Sequence, residues 1–150
     1  MPDAIVPASS TGSCYASVTV PSRVESIRLA ADFLVQAARN MQVPCADDSR
    51  FESAIVEALN NAVEHGNAGQ RPDALTVCEL ELVGRRLTVR ILGQGPAFAL
   101  PPASLPEWNV EDITTVPESG YGIHIIRDVF PMVRTIAHAG DFGLEMTLTF

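Results

Sequence analysis

The sequence contains no lysine, and this absence excludes several kinds of chemistry. All ten basic residues are arginine, and the chain has 18 acidic residues, which gives a formal net charge of −8. Without lysine there is neither a Schiff-base nucleophile nor a P-loop phosphate site. An acidic chain that lacks a run of basic residues is also poorly suited to bind nucleic acid or anionic membranes, because both are negatively charged. We therefore expect no direct contact with nucleic acid or with a membrane.

A long apolar run and a disulfide framework are missing as well. No run approaches the roughly 18 apolar residues of a membrane span, and residues 1–7 do not resemble a signal peptide. The odd number and wide spacing of the three cysteines indicate reduced, buried thiols at Cys14, Cys45 and Cys78. A chain of 150 residues can form one domain with a real core. These features predict a cytoplasmic globular protein.

The chain divides into a short arm and one domain. Residues 1–12 are rich in Pro, Ala and Ser and predict a flexible N-terminal arm, so that the domain spans 13–150. Apolar residues recur every three or four positions over 23–42, which predicts an amphipathic helix that a Ser22–Glu25 capping box would start. This stripe is typical of a helix packed on a core, and a homodimer through the helix is the alternative.

The remaining elements follow from alternation and from breaks in the sequence. The predicted elements are strands at 14–20, 75–83, 87–92, 133–138 and 143–150, helices at 49–65 and 121–130, and a long loop at 93–120. Because strands that are neighbours in the sequence form hairpins, the sheet is mostly antiparallel, and three helices can cover one of its faces. The predicted fold class is therefore α/β, an α+β two-layer sandwich.

The helix at 49–65, which a Ser49–Glu52 capping box would start, carries an unusual polar stripe. Glu57, Asn61 and His65 follow one another at intervals of four residues beside the apolar face. A carboxylate and an amide one turn apart can bind a hydrated cation through oxygen. The carboxylate can instead accept a proton from an attacking hydroxyl. A solvated helix face is the alternative interpretation.

Two glycine-rich segments flank the long loop. The first, 93–98, directly follows a strand, and the second, 120–122, directly precedes a helix. Glycines let backbone N–H groups approach a ligand, and a helix N-terminus attracts phosphate. Each segment alone is weak evidence. The order of four features is more specific: a polar helix, a glycine-rich segment after a strand, a long loop and a glycine-rich segment before a helix.

Together these motifs resemble those of the GHKL ATPase superfamily. Residues 57–67 resemble its N box, residues 93–98 its first glycine box and residues 120–127 its second. The form Glu-x-x-x-Asn-Ala-x-x-His is most similar to the bacterial anti-sigma-factor serine kinases of partner-switching systems. The resemblance extends over nearly the whole chain. It implies the Bergerat ATP-binding fold, with a mostly antiparallel sheet and three helices on one face.

The resemblance also implies a role for each matching residue. Glu57 would be the general base that activates the serine of a protein substrate, and Asn61 would hold Mg²⁺ on the phosphates of ATP. The other nucleotide-binding positions would be His65, Gly93, Gly95, Ala97, Gly120, Tyr121, Gly122 and Ile123. The implied substrate is a STAS-domain anti-anti-sigma protein, which would compete with a sigma factor for this chain. An active protein of this kind is an ATP-dependent serine/threonine kinase in transcription regulation.

Three positions depart from the family pattern where adenine would bind. Gly93 replaces an aspartate that accepts a hydrogen bond from the adenine amino group, Ala97 replaces a glycine, and Leu144 replaces a threonine. Loss of a charge-assisted hydrogen bond costs about 1.5–3 kcal/mol, a roughly ten- to hundred-fold loss of affinity. A kinase with altered nucleotide recognition is therefore one candidate. A non-catalytic, nucleotide-poor regulator that binds a sigma factor or STAS partner is the alternative, and a sensor histidine kinase domain fits less well.

Overall fold

Six antiparallel strands form one layer and three helices the other in the computed structural model, which describes residues 6–7, 12–66, 71–95 and 122–150. In chain order the elements are β1 (Val6–Pro7), β2 (Ser13–Pro21), α1 (Val24–Asn40), α2 (Ser49–Gly66), β3 (Leu75–Val83), β4 (Arg86–Gly93), α3 (Gly122–Val129), β5 (Met132–His138) and β6 (Asp141–Thr149). The strand order is β1-β2-β3-β4-β6-β5, and all neighbours are antiparallel. This arrangement confirms the predicted two-layer fold.

The alternation of β3 decides which of its side chains face the helices. Thr76, Cys78, Leu80 and Leu82 are buried on the inner face, whereas Glu79 is half-buried on the outer face. A strand presents successive side chains to opposite faces, so the period of two in the sequence predicted both the strand and its inner face. Thr76 is the polar exception in this inner row.

Helix α1 uses its apolar stripe within its own chain. Ile27, Ala31 and Leu34 are buried in the core, and the helix packs against β2 and β3. Val24 and Leu29 are the large apolar side chains of α1 that remain exposed. A homodimer through this helix would therefore use its exposed face rather than the predicted stripe, and it stays a prediction.

Helices α1 and α2 begin without the predicted capping boxes. Arg23 precedes α1 with an extended backbone and no side-chain capping hydrogen bond, so Ser22 is not the cap. At α2, the carboxylate of Asp48 rather than Ser49 accepts a hydrogen bond from the Arg50 backbone N–H at 2.9 Å. Hydrogen bonds from the Arg50 side chain and backbone lower the pKa of Asp48 to about 2. The path of the chain into the first turn decides which residue caps a helix. The spacing of residues in the sequence therefore placed each helix start one position away from the observed one.

Helix α2 is the centre of the helical layer and contacts α1, α3, β3, β4 and β6. Its apolar face includes Phe51, Ile55 and Leu59, all of which are buried. The Phe51 ring packs against Phe130, which directly follows α3, with ring centroids 5.8 Å apart. This packing of α2 against α3 brings the polar stripe of α2 to the start of α3.

A charge cluster lies on the outer face of the sheet. Arg90 on β4 donates to Glu145 on β6 at 2.8 Å and to Glu81 on β3 at 3.1 Å. Arg134 on β5 also donates to Glu145, at 2.6 Å. Burial raises the pKa of Glu145, but hydrogen bonds from the two guanidinium groups outweigh burial, and the pKa is below its usual value. The cluster joins four strands on the side away from the helices.

Other differences from the predicted features are small. Val6–Pro7 pairs with Tyr15 and Cys14, so part of the predicted arm belongs to the sheet.

Cys78 is buried, which raises the pKa of its thiol to about 12. Cys14 and Cys45 are half-buried, so the prediction of buried thiols was wrong for these two. In the ranges that the structure describes, no helix is long and apolar enough to cross a membrane.

Candidate functional site

The polar stripe of α2 borders a cavity of about 690 Å³. Glu57, Asn60, Asn61 and Glu64 line the cavity from α2, and residues between 21 and 27 line it from the start of α1. Glu57 and Asn61 are both half-buried. Their positions are therefore set by packing, while both side chains remain accessible to a ligand.

Glu57 also lies directly against the first residue of α3. A Cβ atom on Gly122 would be 2.6 Å from Glu57 Oε2, closer than real Cβ atoms approach such a neighbour. Gly122 therefore accommodates the carboxylate because it has no side chain. The contact joins the predicted N box to the predicted second glycine box, which are far apart in the sequence.

Glu57, Asn61 and Gly122 form what we call the helical half of the site. Asn61 follows Glu57 by one turn on the same face of α2. The first N–H groups of α3 have no partner inside the helix, and the helix dipole favours a negative group at this end. Ile123 is buried at 3% exposure in the first turn of α3, and its part in nucleotide binding stays a prediction. The helical half thus brings together a carboxylate, a side-chain amide and the N-terminus of a helix.

Thr76, Gly93 and Leu144 lie on the inner face of the sheet, near the positions at which the family resemblance puts adenine, and we call them the strand half. None of the three is among the described residues that line the cavity. Gly93 ends β4 and pairs with Thr76 on β3 and with Phe142 on β6. Leu144 pairs with Ile91 and is buried in the core. The strand half therefore presents one hydroxyl, that of Thr76, and no carboxylate.

Gln94, the second residue of the predicted first glycine box, fixes the end of β4. Its Oε1 atom accepts hydrogen bonds from the Leu75 backbone N–H at 3.0 Å and from the Arg71 side chain at 3.2 Å. Gly95 follows in a bend and is half-buried. These hydrogen bonds hold Gln94 at the end of β4 beside the start of β3.

The other predicted site residues are less closely connected. His65 is exposed in the last turn of α2 and is not among the described residues that line the cavity. Its role in cofactor binding stays a prediction. Ala97, Gly120 and Tyr121 lie outside the described residues.

A metal ion would need ligands from outside the protein at this site. Across the described parts of the chain, no group of three or more His, Cys, Asp or Glu side chains could hold a metal ion. A cation near Asn61 would therefore take its other oxygens from a ligand and from water. This is the usual state of Mg²⁺ at phosphate sites.

Sequence reasoning missed Thr76 and Gln94. Thr76 interrupts the otherwise apolar inner row of β3, and this interruption is a signal that could have been read. Gln94 has no comparable signal. Its partners, Leu75 and Arg71, come close to it only through the pairing of β3 with β4.

The architecture and the site together define a class of protein. A half-buried carboxylate and amide on one helix, a glycine at the start of another and a glycine at a strand end suit a nucleotide. The chain belongs to the family of histidine kinase-like ATPase domains, which matches residues 20–150. This match confirms the resemblance to the GHKL superfamily.

Solved structures include a relative of the same fold. The chain is similar to the crystal structure of the RsbU and RsbW domains of Rv1364c from Mycobacterium tuberculosis, with a TM-score of 0.61 and 17% sequence identity. The similarity covers 90% of this chain and 32% of that chain. This likeness is one of fold and agrees with the predicted Bergerat fold. No curated protein matches the chain.

Proposed function

We propose that the protein is an anti-sigma factor with protein serine kinase activity, which binds a sigma factor and phosphorylates a STAS-domain partner. The observation that carries this proposal is the contact between Glu57 and Gly122. A proton acceptor thus lies at a helix terminus that favours phosphate. Membership of the ATPase family and the likeness to a structure that contains an RsbW domain support the proposal.

The helical half fits a magnesium nucleotide. Gly122 lets the Glu57 carboxylate lie against the start of α3, and Asn61 offers an amide oxygen at the cavity. Mg²⁺ would be held by Asn61 together with phosphate and water oxygens. ATP supplies the phosphoryl group when it is bound. The proposal assigns the remaining nucleotide contacts to His65, Gly93, Gly95, Ala97, Gly120, Tyr121 and Ile123.

Glu57 is the proposed general base. Its carboxylate accepts the proton of a serine hydroxyl on the protein substrate, which makes the serine oxygen a stronger nucleophile. Because Glu57 is half-buried and lines the cavity, a substrate segment can reach it from solvent. A positioned base of this kind typically accelerates a reaction by about 10²–10⁴-fold.

The partners are proposed by analogy with the family and are compatible with the cavity. Its lining carries Arg23, Glu25 and Glu64, which are charges of both signs. Charges of both signs beside apolar side chains such as Val24 are compatible with contact to a protein surface. A cytoplasmic location and a homodimer through the exposed face of α1 belong to the same proposal.

Phosphate transfer to a STAS-domain protein tests the kinase proposal. The purified chain, Mg²⁺–ATP and the STAS protein are incubated, and phosphoserine is quantified by mass spectrometry. Glu57→Gln keeps the shape of the side chain but removes the base, so we expect transfer to slow by about 10²–10⁴-fold. ATP binding should be nearly unchanged in this variant.

Glu52→Gln is the matched control, because Glu52 lies on the same helix and forms a surface ion pair with Arg28. Such pairs contribute little to stability, so the control should keep wild-type transfer within about twofold. Equal rates for wild type and Glu57→Gln would contradict the role of Glu57. Absence of phosphoserine in the wild-type reaction would contradict the kinase itself.

A non-catalytic regulator on the same scaffold is the second candidate. Gly93 and Leu144 favour it, because neither offers adenine a polar side chain. Titration calorimetry with Mg²⁺–ATP separates the two candidates. Micromolar binding supports the kinase, and no binding at millimolar ATP supports the regulator, whose sigma-factor or STAS binding would then be independent of nucleotide.

A further inference from the structure

The strand half of the site contains a buried hydroxyl without a partner. Thr76 is at 0% exposure, and its Oγ1 atom has no hydrogen-bond partner within the described residues. A buried hydroxyl in this state bears the full cost of its desolvation. Because buried polar groups in native proteins are nearly always satisfied, the Thr76 hydroxyl calls for a ligand or water to complete it.

The sheet register puts this hydroxyl beside Gly93. Thr76 pairs with Gly93 on one side and with Val20 on the other, and directly paired side chains share one face of a sheet. Since Gly93 has no side chain, no side-chain atom from position 93 lies next to the Thr76 hydroxyl on this face. Gln94 holds the strand end in place through the backbone of Leu75, the neighbour of Thr76.

We propose that the Thr76 hydroxyl hydrogen-bonds the base of the nucleotide, directly or through one water, and that the site consequently accepts both adenine and guanine nucleotides. This inference rests on the proposed nucleotide-binding function. An ionised carboxylate only accepts hydrogen bonds, so one that faces position 6 of a purine selects the amino group of adenine over the carbonyl of guanine. A hydroxyl both donates and accepts, so it can bond the adenine amino group or the guanine carbonyl. With glycine at position 93, no carboxylate excludes guanine there.

Nucleotide titrations of Thr76→Val test the inference. Wild-type affinities for Mg²⁺–ATP and Mg²⁺–GTP, measured by calorimetry, should agree within about tenfold. Thr76→Val removes the hydroxyl and nearly preserves the shape, so we expect both affinities to fall by about three- to tenfold. The melting temperature of the nucleotide-free variant should be equal or higher, because an unsatisfied group has been removed.

Thr88→Val is the matched control. Thr88 is buried at 8% exposure on the outer face of β4, away from the strand half of the site. The control makes the same chemical change, and both nucleotide affinities should remain at their wild-type values. Weaker binding in the control as well would assign the effect to the sheet as a whole and overturn the specific role of Thr76.

The outcomes separate this inference from the function on which it rests. If wild type binds nucleotide and Thr76→Val binds it equally well, the role of Thr76 is wrong and the proposed function stands. A preference for ATP over GTP of more than about a hundred-fold would overturn the dual specificity. If wild type binds neither nucleotide, the proposed function fails and this inference fails with it.

A second pair of variants covers the case in which Thr76→Val does not fold. Thr76→Ser loses the methyl group and keeps the hydroxyl, whereas Thr76→Ala loses both, so the two variants differ only by the hydroxyl. We expect the serine variant to bind ATP and GTP near wild-type strength and the alanine variant to bind both more weakly. Equal binding by these two variants would overturn the inference.

Discussion

The helical half and the strand half of the site are assembled by different forces. Glu57 and Gly122 meet because α2 packs against α3 through Phe51 and Phe130. In the strand half, Gly93 lies beside Thr76 because the hydrogen bonds between β3 and β4 set these two residues opposite each other. The helical half carries ionisable and amide groups suited to a phosphate and a proton, whereas the strand half offers a single hydroxyl. Under the proposed function, the helical half has the groups to bind phosphate and accept a proton, whereas the strand half has little with which to select the base.

The largest expected change in nucleotide affinity comes from adding a carboxylate to the strand half. Gly93→Asp should raise ATP affinity by roughly ten- to hundred-fold, because a charge-assisted hydrogen bond to the adenine amino group becomes available. GTP should gain nothing, because its carbonyl would face the new charge. Calorimetric titration of both nucleotides measures this change in the ratio of affinities.

Gly84→Asp provides the control for added charge. Gly84 lies in the β3–β4 turn with φ +60°, a conformation that aspartate tolerates better than most residues. A Cβ atom at this position would meet no described atom within 4 Å. Its nucleotide affinities should match those of wild type. Equal gains for ATP and GTP in Gly93→Asp would contradict the assignment of position 93 to the base.

A smaller effect is expected from crowding the helical half. A methyl group at position 122 would meet Glu57 Oε2, the end of a flexible side chain, so Gly122→Ala should displace the carboxylate without unfolding the protein. Phosphate transfer should fall by about tenfold or more, because misplaced catalytic groups lose much of their effect. Transfer rates and thermal melts measured together check this expectation.

Asp128→Ala tests whether any change on α3 has the same consequence. Asp128 is exposed on this helix, and the variant should transfer phosphate at the wild-type rate. An unchanged rate in Gly122→Ala would show that Glu57 does not need its observed position. Unfolding of Gly122→Ala would show instead that the glycine supports the packing of α3.

The smallest effect on the site should come from the outer face of the sheet. Glu145→Gln leaves Arg90 and Arg134 without their shared carboxylate, so the free energy of unfolding should fall by about 1–3 kcal/mol. Nucleotide affinity should be unchanged. Urea unfolding at neutral pH and calorimetry measure these two quantities, and a loss of affinity would connect the outer face to the site.

The pH dependence of stability gives a second readout for Glu145. Its pKa is lower in the folded protein than the usual glutamate value of about 4.3. Its contribution is therefore present above about pH 4.3 and is lost as the pH falls through the lower, folded value. Glu145→Gln should lose less stability than wild type on acidification. Parallel acid unfolding curves would contradict this.

Local patterns predicted most of the fold because they depend on short stretches of chain. The alternation of 75–83 matches β3 at both ends, and the stripe over 23–42 contains α1. Helix starts were less predictable, since Asp48 rather than Ser49 caps α2. Capping depends on where the incoming chain turns, and neighbours from other elements influence that path.

For the site, the motifs identified Glu57 and Asn61 as residues of interest, and the structure adds what surrounds them. The cavity beside these residues includes the start of α1, which no motif indicates. Gln94 binds the backbone N–H of Leu75, and the spacing of residues gives no sign of this contact. Motifs report residue types at fixed intervals, and they carry no information on neighbours from distant segments.

The sequence by itself determined the periodic elements, the antiparallel character of the sheet and the family motifs, because hydrophobic periodicity and residue spacing are local properties. Only the tertiary structure decided that Glu57 lies against Gly122 and that the Thr76 hydroxyl is buried beside Gly93. Both contacts join segments that are distant along the chain. Their geometry follows from helix packing and strand register, which exist only once the whole core has formed.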